Sequence, residues 1–197
     1  KENIEQLFKK YAKALSENNQ PIRILDIASG HGRYILDAVQ KLPKLPDSIL
    51  LRDYSEINVK AGQQMIQERG LEHIAQFVQA DAFDTQSIAS IDPRPTLGVV
   101  SGLYELFSDN DLLRRSLNGL SQAIEKNGYL IYTGQIWHPQ QEFIARALTS
   151  HREGDAWVMR LRSQAEMDAL VEAAGFKKVD QNIDDFGIFT VSVAQKL

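Results

Sequence analysis

Apolar positions recur first at helical and then at strand spacing. From Ile4 they fall at Leu7, Phe8, Tyr11, Ala12 and Leu15, with Lys9, Lys10 and Lys13 on the other side, which predicts an amphipathic leading helix within residues 1–20. After a polar break at 16–21, Ile22-Arg23-Ile24-Leu25-Asp26-Ile27 reads as a buried strand running into the small residues Ala28 to Gly32. The following helix carries Ile35, Leu36, Ala38, Val39 and Leu42 on one face, and Pro43 and Pro46 close it. A second apolar run, Ile49-Leu50-Leu51, leads to Asp53, and Ser55 caps a helix that reaches Arg69 and stops at Gly70.

The alternation continues with strands at 76–80 and 97–101, a helix over 109–125, and a fifth strand at 129–133. Beyond it lie a helix near 140–149 and another opened by Ser163, with Glu166 three residues on as a capping box. Two strand-like runs, 177–183 and 188–194, close the chain through Asp184-Asp185-Phe186-Gly187 as an antiparallel hairpin. Five strand-helix units imply an α/β fold with a parallel sheet covered on both faces, because parallel strands need crossovers and the crossovers are the helices. No repeat or linker divides residues 1–197, which read as one domain.

Composition narrows the function classes. The chain has 197 residues, 43% of them hydrophobic, enough to bury a core without disulfides or a structural metal. Having no cysteine, it excludes thiol nucleophiles, cysteine-ligated zinc and iron-sulfur clusters. With 22 Lys+Arg against 26 Asp+Glu, the net charge of −4 gives no global attraction to nucleic acid. No apolar run approaches a membrane span, so a soluble cytoplasmic protein is expected; it begins at Lys1 rather than Met, as a piece of a longer chain would. The sequence shows no metal-ligand spacing and no G-x-S-x-G elbow.

The chemistry gathers where the first strand ends, at Asp26-Ile27-Ala28-Ser29-Gly30-His31-Gly32. Small residues let the backbone approach a ligand there, and the next helix points its N-terminus at the same place. Asp53, 21 residues beyond Gly32 at the end of the neighbouring strand, is placed to accept hydrogen bonds from both hydroxyls of a ribose. Together they indicate a nucleoside. A dinucleotide fingerprint aligned on Gly30 and Gly32 requires Gly or Ala at position 35, and the chain has Ile35, so NAD is disfavoured. Asp26, an acid inside a strand, needs a hydrogen-bonded role, either anchoring the loop or meeting a cofactor amino group. His31 either hydrogen-bonds the cofactor or faces water.

The pattern D-x-A-x-G-x-G resembles motif I of class I S-adenosylmethionine-dependent methyltransferases. Asp53-Tyr54-Ser55 with Val59, Ala61 and Gly70-Leu71 resembles that family's second motif, and Gln79-Ala80-Asp81-Ala82-Phe83 its third. The resemblance implies S-adenosyl-L-methionine as cofactor, with Ala28, Gly30 and Gly32 facing its methionine end. It puts Asp53 on the ribose, Tyr54 on the adenine face, and Asp81 with Ala82 at the adenine amine. It also implies a Rossmann-like, doubly wound, seven-stranded, mostly parallel sheet with an antiparallel terminal strand. A narrower likeness, to a bacterial family of methyltransferases often found C-terminal to an α/β-hydrolase domain, rests on 100–107, 133–140, 148–152, 162–168 and 186–191. It covers nearly the whole chain and implies a hydrolase domain as fusion or partner.

The second half carries the acceptor candidates. Tyr104 and Glu105 follow the fourth strand at the point where the sheet order reverses, so they are expected to face the transferred methyl group. The segment 137–163, with Trp137, His138, His151, Arg152, Trp157, Arg160 and Arg162, is expected to build the substrate wall. Its arginines point to an anionic acceptor, with salt bridges to Glu153 and Asp155 as the competing reading. If the nucleophile must lose a proton, Glu105, Tyr104, His138 and His151 are the candidate bases. The expected function is methyl transfer to a small, anionic or lipid-like molecule. A non-catalytic domain that binds the cofactor to regulate a larger hydrolase-containing protein is the alternative, and a nucleotide-dependent oxidoreductase ranks third.

Overall fold

Strands rich in Ile, Leu and Val, each flanked by an amphipathic helix, bury both sheet faces in the computed structural model, which describes residues 2–149 and 156–197. The leading helix α1 (Glu2–Glu17) buries the six apolar residues that its sequence spacing selects. Then follow β1 (Arg23–Ile27), α2 (Arg33–Val39), β2 (Ser48–Asp53), α3 (Glu56–Glu68), β3 (Ala75–Gln79), a short α4 (Thr85–Ala89) and β4 (Leu97–Val100). A 3₁₀ turn at Tyr104–Leu106 precedes α5 (Asn110–Ala123), β5 (Tyr129–Gln135), α6 (Gln141–Ala147), α7 (Gln164–Ala173), β6 (Phe176–Ile183) and β7 (Phe189–Lys196).

The strands form one seven-stranded sheet in the order β3-β2-β1-β4-β5-β7-β6. The pairs from β3 through β5 are parallel, and β7 runs antiparallel to both neighbours. The chain winds outward from β1 in one direction and from β4 in the other, so the order reverses between them. In such sheets the loops leaving those two strands diverge and open a crevice at their C-terminal ends. One irregularity interrupts the hairpin, a register shift between Lys178 and Asp180 on the outermost strand β6. Asp180 there accepts bonds from Lys10 (2.7 Å) and the Tyr11 hydroxyl (3.1 Å) of α1.

Alternation along the strands separates two cores. Ile24, Leu97, Val99, Ile131 and Val193 face the layer containing α1, α2 and α3. Leu25, Ile27, Val100, Leu130 and Tyr132 face the layer of α4, α5 and α7. Asp26 is therefore turned toward the first layer, where α2 brings Tyr34.

Three details depart from the sequence reading. The helix α4 and the 3₁₀ turn, five and three residues long, were not expected. The helix after β1 ends at Val39, although Leu42 still packs on the core. Only half of the capping box forms. Ser163 Oγ accepts the Glu166 N–H at 3.1 Å, while the Glu166 carboxylate is taken by Asn110 (2.9 Å) and Arg160 (2.6 Å). Two donors outside the helix outcompete the backbone N–H of Ser163.

Candidate active site at the C-terminal edge of the sheet

The loop after β1 is held from below by its own side chains. Ser29 donates its N–H to the Arg52 carbonyl (2.9 Å) and its hydroxyl to the Asp26 carbonyl (2.8 Å). Ala28, Gly30 and Gly32 have φ of 57°, 57° and 71°, a left-handed path costly for a residue with a Cβ, and one that Ala28 nonetheless follows. At Gly32 a Cβ would sit 2.5 Å from Leu51 Cδ1, so glycine is what lets α2 start against β2. At Gly30 a Cβ would meet nothing within 4 Å, so the loop is open to an approaching ligand there.

Asp53 joins this loop to the next. Its Oδ2 accepts the Gly30 N–H (2.9 Å), and its Oδ1 accepts the Ser55 N–H (2.9 Å) and Asn58 Nδ2 (3.0 Å). Three of about four lone-pair directions are thus used inside the protein, and the free one lies on Oδ2, on the side of Gly30. The carboxylate acts as a brace for the entry to α3 as well as a candidate ribose acceptor.

Asp26 is fully buried, with Oδ1 accepting the Tyr34 hydroxyl at 2.7 Å and Oδ2 without a partner among the described residues. Burial pushes its carboxyl up to about 7, against the lowering effect of the Tyr34 and Ser29 hydrogen bonds. Tyr54 is 78% exposed at the end of β2, a flat ring open to a ligand face. Asp81 is exposed, and its Oδ1 caps the turn by accepting the Phe83 N–H at 2.9 Å. Ala82 is buried beside Phe83, and His31 lies exposed on the loop. The structure thus brings Asp26, Ala28, Gly30, Gly32, Asp53, Tyr54, Asp81 and Ala82 to the ends of β1, β2 and β3.

Across β4 lies a hollow lined by Glu105, Thr133, Gly134, Gln135, Arg160 and Met167, with Tyr104 and Arg162 behind. Thr133 Oγ1 accepts the Gly102 N–H at 2.8 Å and ties the end of β4 to that of β5. Glu105 is 8% exposed, and among the described residues its Oε2 has no partner. Burial raises its carboxyl above the ordinary glutamate value, opposed by a bond to its own backbone and by the charge of Arg162.

Other candidates take different parts from those expected. The Tyr104 ring is 2% exposed, and its hydroxyl meets Ser116 Oγ at 3.0 Å within the second core. Burial raises that phenol further, so the hydroxyl holds its proton more firmly than an exposed one. His138 Nδ1 accepts the Gln140 N–H at 3.1 Å. That bond leaves the proton of the neutral ring on Nε2, which can then only donate. Arg162 is 3% exposed and spends its guanidinium on the carbonyls of Tyr104 (2.8 Å), Phe107 (2.7 Å) and Ser108 (3.3 Å) and on Asn110 Oδ1 (2.8 Å).

Arg160 is likewise bound, to the Ser108 carbonyl and to Glu166, each at 2.6 Å. Neither arginine holds its fork free for an anion. Trp137 is 46% exposed on the rim, and α6 beside it buries none of its residues. His151 and Arg152, with the expected partners Glu153 and Asp155, lie outside the described residues.

Sequence reasoning passed over Tyr34, Thr133, Gln135 and Met167. Tyr34 carries a signal, a hydroxyl two residues into the helix facing the strand acid. The other three, two on β5 and one on α7, come together only when that helix packs beside the strand.

A glycine loop, a strand-end carboxylate and a buried acid gathered at the reversal of a β3-β2-β1-β4-β5-β7-β6 sheet form one constellation. A family profile described as "Putative methyltransferase" matches residues 1–196. The chain belongs to that family. It is 54% identical over 98% of its length to "Uncharacterized protein YnbC" of Escherichia coli, and spans about a third (33%) of that relative.

Among solved structures, an S-adenosylmethionine-dependent methyltransferase from Clostridium acetobutylicum superposes with a TM-score of 0.71 at 12% identity, over 95% of this chain and 91% of that one. Magnesium protoporphyrin IX methyltransferase from Synechocystis, solved with bound SAH, gives 0.70 at 13% identity over 98% and 83%. At such identities the likeness is one of fold. The methyltransferase family thus has here the seven-stranded Rossmann-like sheet of those enzymes. Among the described residues no group of three or more His, Asp and Glu could hold a metal ion, and no helix is long and apolar enough to cross a membrane.

Proposed function

We propose that the chain transfers a methyl group from S-adenosylmethionine to a small-molecule acceptor at the C-terminal ends of β1, β4 and β5. The observation that carries this reading is the orphaned, buried Asp26 Oδ2 beneath a loop whose backbone is open at Gly30. A buried carboxylate oxygen without a partner asks for a donor, and the cofactor's amino group is one. Asp53 offers its remaining lone pair to the ribose, Tyr54 its exposed ring to adenine, and Asp81 with Ala82 the edge of the adenine site. The residues present therefore fit the cofactor. When bound, it supplies an electrophilic methyl carbon, and the protein's task is to align an acceptor beside it.

S-adenosylhomocysteine is expected to raise the melting temperature while NAD does not, since a ligand bound only by the folded state stabilises it by mass action. Asp53→Ala should lose most of that shift, and Asn58→Ala, which removes only the brace, should keep most of it. Equal shifts in wild type and Asp53→Ala would remove Asp53 from the site.

A non-catalytic regulatory domain is the second reading, favoured by the chain spanning a third of YnbC. The same fact leaves room for the α/β-hydrolase domain expected from the resemblance. Transfer of a tritiated methyl group into a cell extract separates enzyme from binding domain.

A further inference from the structure

Arg52 is a cation inside the sheet. It follows the apolar run Ile49-Leu50-Leu51 on β2, stands between Ile27 of β1 and Val78 of β3, and is 3% exposed. Burying a guanidinium costs free energy that an aliphatic side chain there would not, unless its bonds are put to use. Those bonds converge on one residue. Nη1 donates to the Ser87 carbonyl at 3.2 Å and Nη2 to the Ser87 hydroxyl at 2.6 Å.

Ser87 lies on α4, and its N–H is held by Oδ1 of Asp84, the helix cap, at 3.0 Å. Asp84 closes a turn on Asp81, whose carbonyl accepts its N–H at 3.4 Å and whose Oδ1 holds the Phe83 N–H. The near end of this segment is also fastened to β2, because Ala80 donates its N–H to the Asp53 carbonyl at 2.9 Å. Residues 80–87 are thus clipped at both ends to consecutive residues of one strand. The far clip is needed. Only Ile88 of α4 is buried, and the bond from Thr85 Oγ1 to the Arg115 carbonyl (2.9 Å) ties the helix to α5 rather than to the sheet. An apolar contact is non-directional, whereas two hydrogen bonds to Ser87 also set how the helix is turned. Burial lowers the pKa of the Arg52 guanidinium, opposed by the charges of Asp84 and Asp81, so the cation also attracts the acids of the turn.

We propose that Arg52 is a positioning residue for adenine: through Ser87 and the Asp84 cap it fixes the turn that presents Asp81, and so sets how strongly the site selects a 6-amino group. The proposal rests on the methyl-transfer reading, which puts adenine at Asp81.

Calorimetric titration of the full chain with S-adenosylhomocysteine and with S-inosylhomocysteine, which has an oxygen in place of the 6-amino group, measures that selection. A carboxylate accepts from the amine and repels the oxygen, so wild type is expected to favour S-adenosylhomocysteine by about tenfold or more. Arg52→Met, which loses both bonds and the charge, should shrink the preference to about twofold. Arg52→Lys should restore part of it. Ser87→Ala removes the shorter bond with little change to the fold, and should lower the preference in the same direction. Loss of mere support for the fold would weaken both ligands alike. An unchanged ratio in Arg52→Met, or in Ser87→Ala where Arg52→Met does not fold, would therefore overturn the proposal, as would the absence of any preference in wild type. If wild type binds neither ligand, the methyl-transfer reading fails instead, and amide hydrogen exchange of the ligand-free chain tests the clip by itself. Faster exchange at Phe83 and Ser87 in Ser87→Ala or Arg52→Met, with Ser55 and Asn58 unchanged, would uphold the clip, and no change would remove it.

Discussion

At the scale of single residues, Asp26 makes stability and ligand binding pull apart. Its carboxyl ordinarily titrates near 3.8 and is pushed to about 7 in the fold, so folding takes up a proton between those values. The associated stability is complete below pH 4 and is lost as the pH rises through 7, on the order of 4 kcal/mol for a shift of this size. Asp26→Asn cannot ionise and is expected to gain on the wild type from pH 4 to about pH 7 and to level off above that in urea denaturation, while binding S-adenosylhomocysteine less tightly. A difference between the two proteins that stays constant with pH would mean that the buried acid does not titrate in this range.

What the sequence reveals of a residue depends on whether its partners are local. Gly32 and Asp53 could be found because the strand-loop-helix that uses them is contiguous. Arg160 and Arg162 misled because most of their partners, Asn110 and the carbonyls of Tyr104, Phe107 and Ser108, lie more than fifty residues upstream.

At the scale of elements, the turn that carries Glu105 is too short to be stable alone. One 3₁₀ turn makes few bonds of its own, and the Arg162 fork binds one carbonyl within it, that of Tyr104, and two just beyond it, those of Phe107 and Ser108. Arg162→Ala removes four hydrogen bonds from a buried guanidinium and is expected to cost about 3 kcal/mol, read as a lowered urea midpoint. Arg162→Lys should recover less than half, since a single ammonium cannot reach the carbonyls and Asn110 together. If both variants are as stable as wild type, the turn is held by its apolar contacts and the fork is incidental.

The same shortness explains which elements could be foreseen. The long amphipathic helices α1, α3 and α5 and the hydrophobic strands announce themselves by period. The helix α4 has a single buried residue, Ile88, and no pattern to read. The helix α6 was foreseeable as a helix, but its lack of any buried residue was not.

For the whole molecule, strand alternation leads to a parallel α/β sheet, and the terminal hairpin explains the reversed direction of β7. Neither dictates the order β5-β7-β6, in which the last strand inserts beside β5 and leaves its predecessor outside. That order comes from burial. β7 shows five consecutive buried residues from Thr190 to Ala194, whereas β6 buries Phe176 alone, so the more apolar strand takes the inner place. Charge belongs to this scale too. With a net charge of −4, the chain is expected to bind duplex DNA or RNA only weakly and with steep salt dependence, as fluorescence anisotropy would measure. Sub-micromolar binding at physiological salt would point to a local basic surface instead.

The register shift on β6 has a consequence for how copies of this protein meet in a crowded solution. An outermost strand displays a row of unpaired N–H and C=O groups, a template on which an identical strand can add and seed aggregation. The shift between Lys178 and Asp180 breaks that row near its middle, exposed Lys177 adds a repelling charge, and Asp180 is tethered to α1. Straightening β6 by deleting Val179 would restore the row and turn the alternation of the strand inside out over half its length. The irregularity thus keeps the β6 margin of the sheet from growing by accretion.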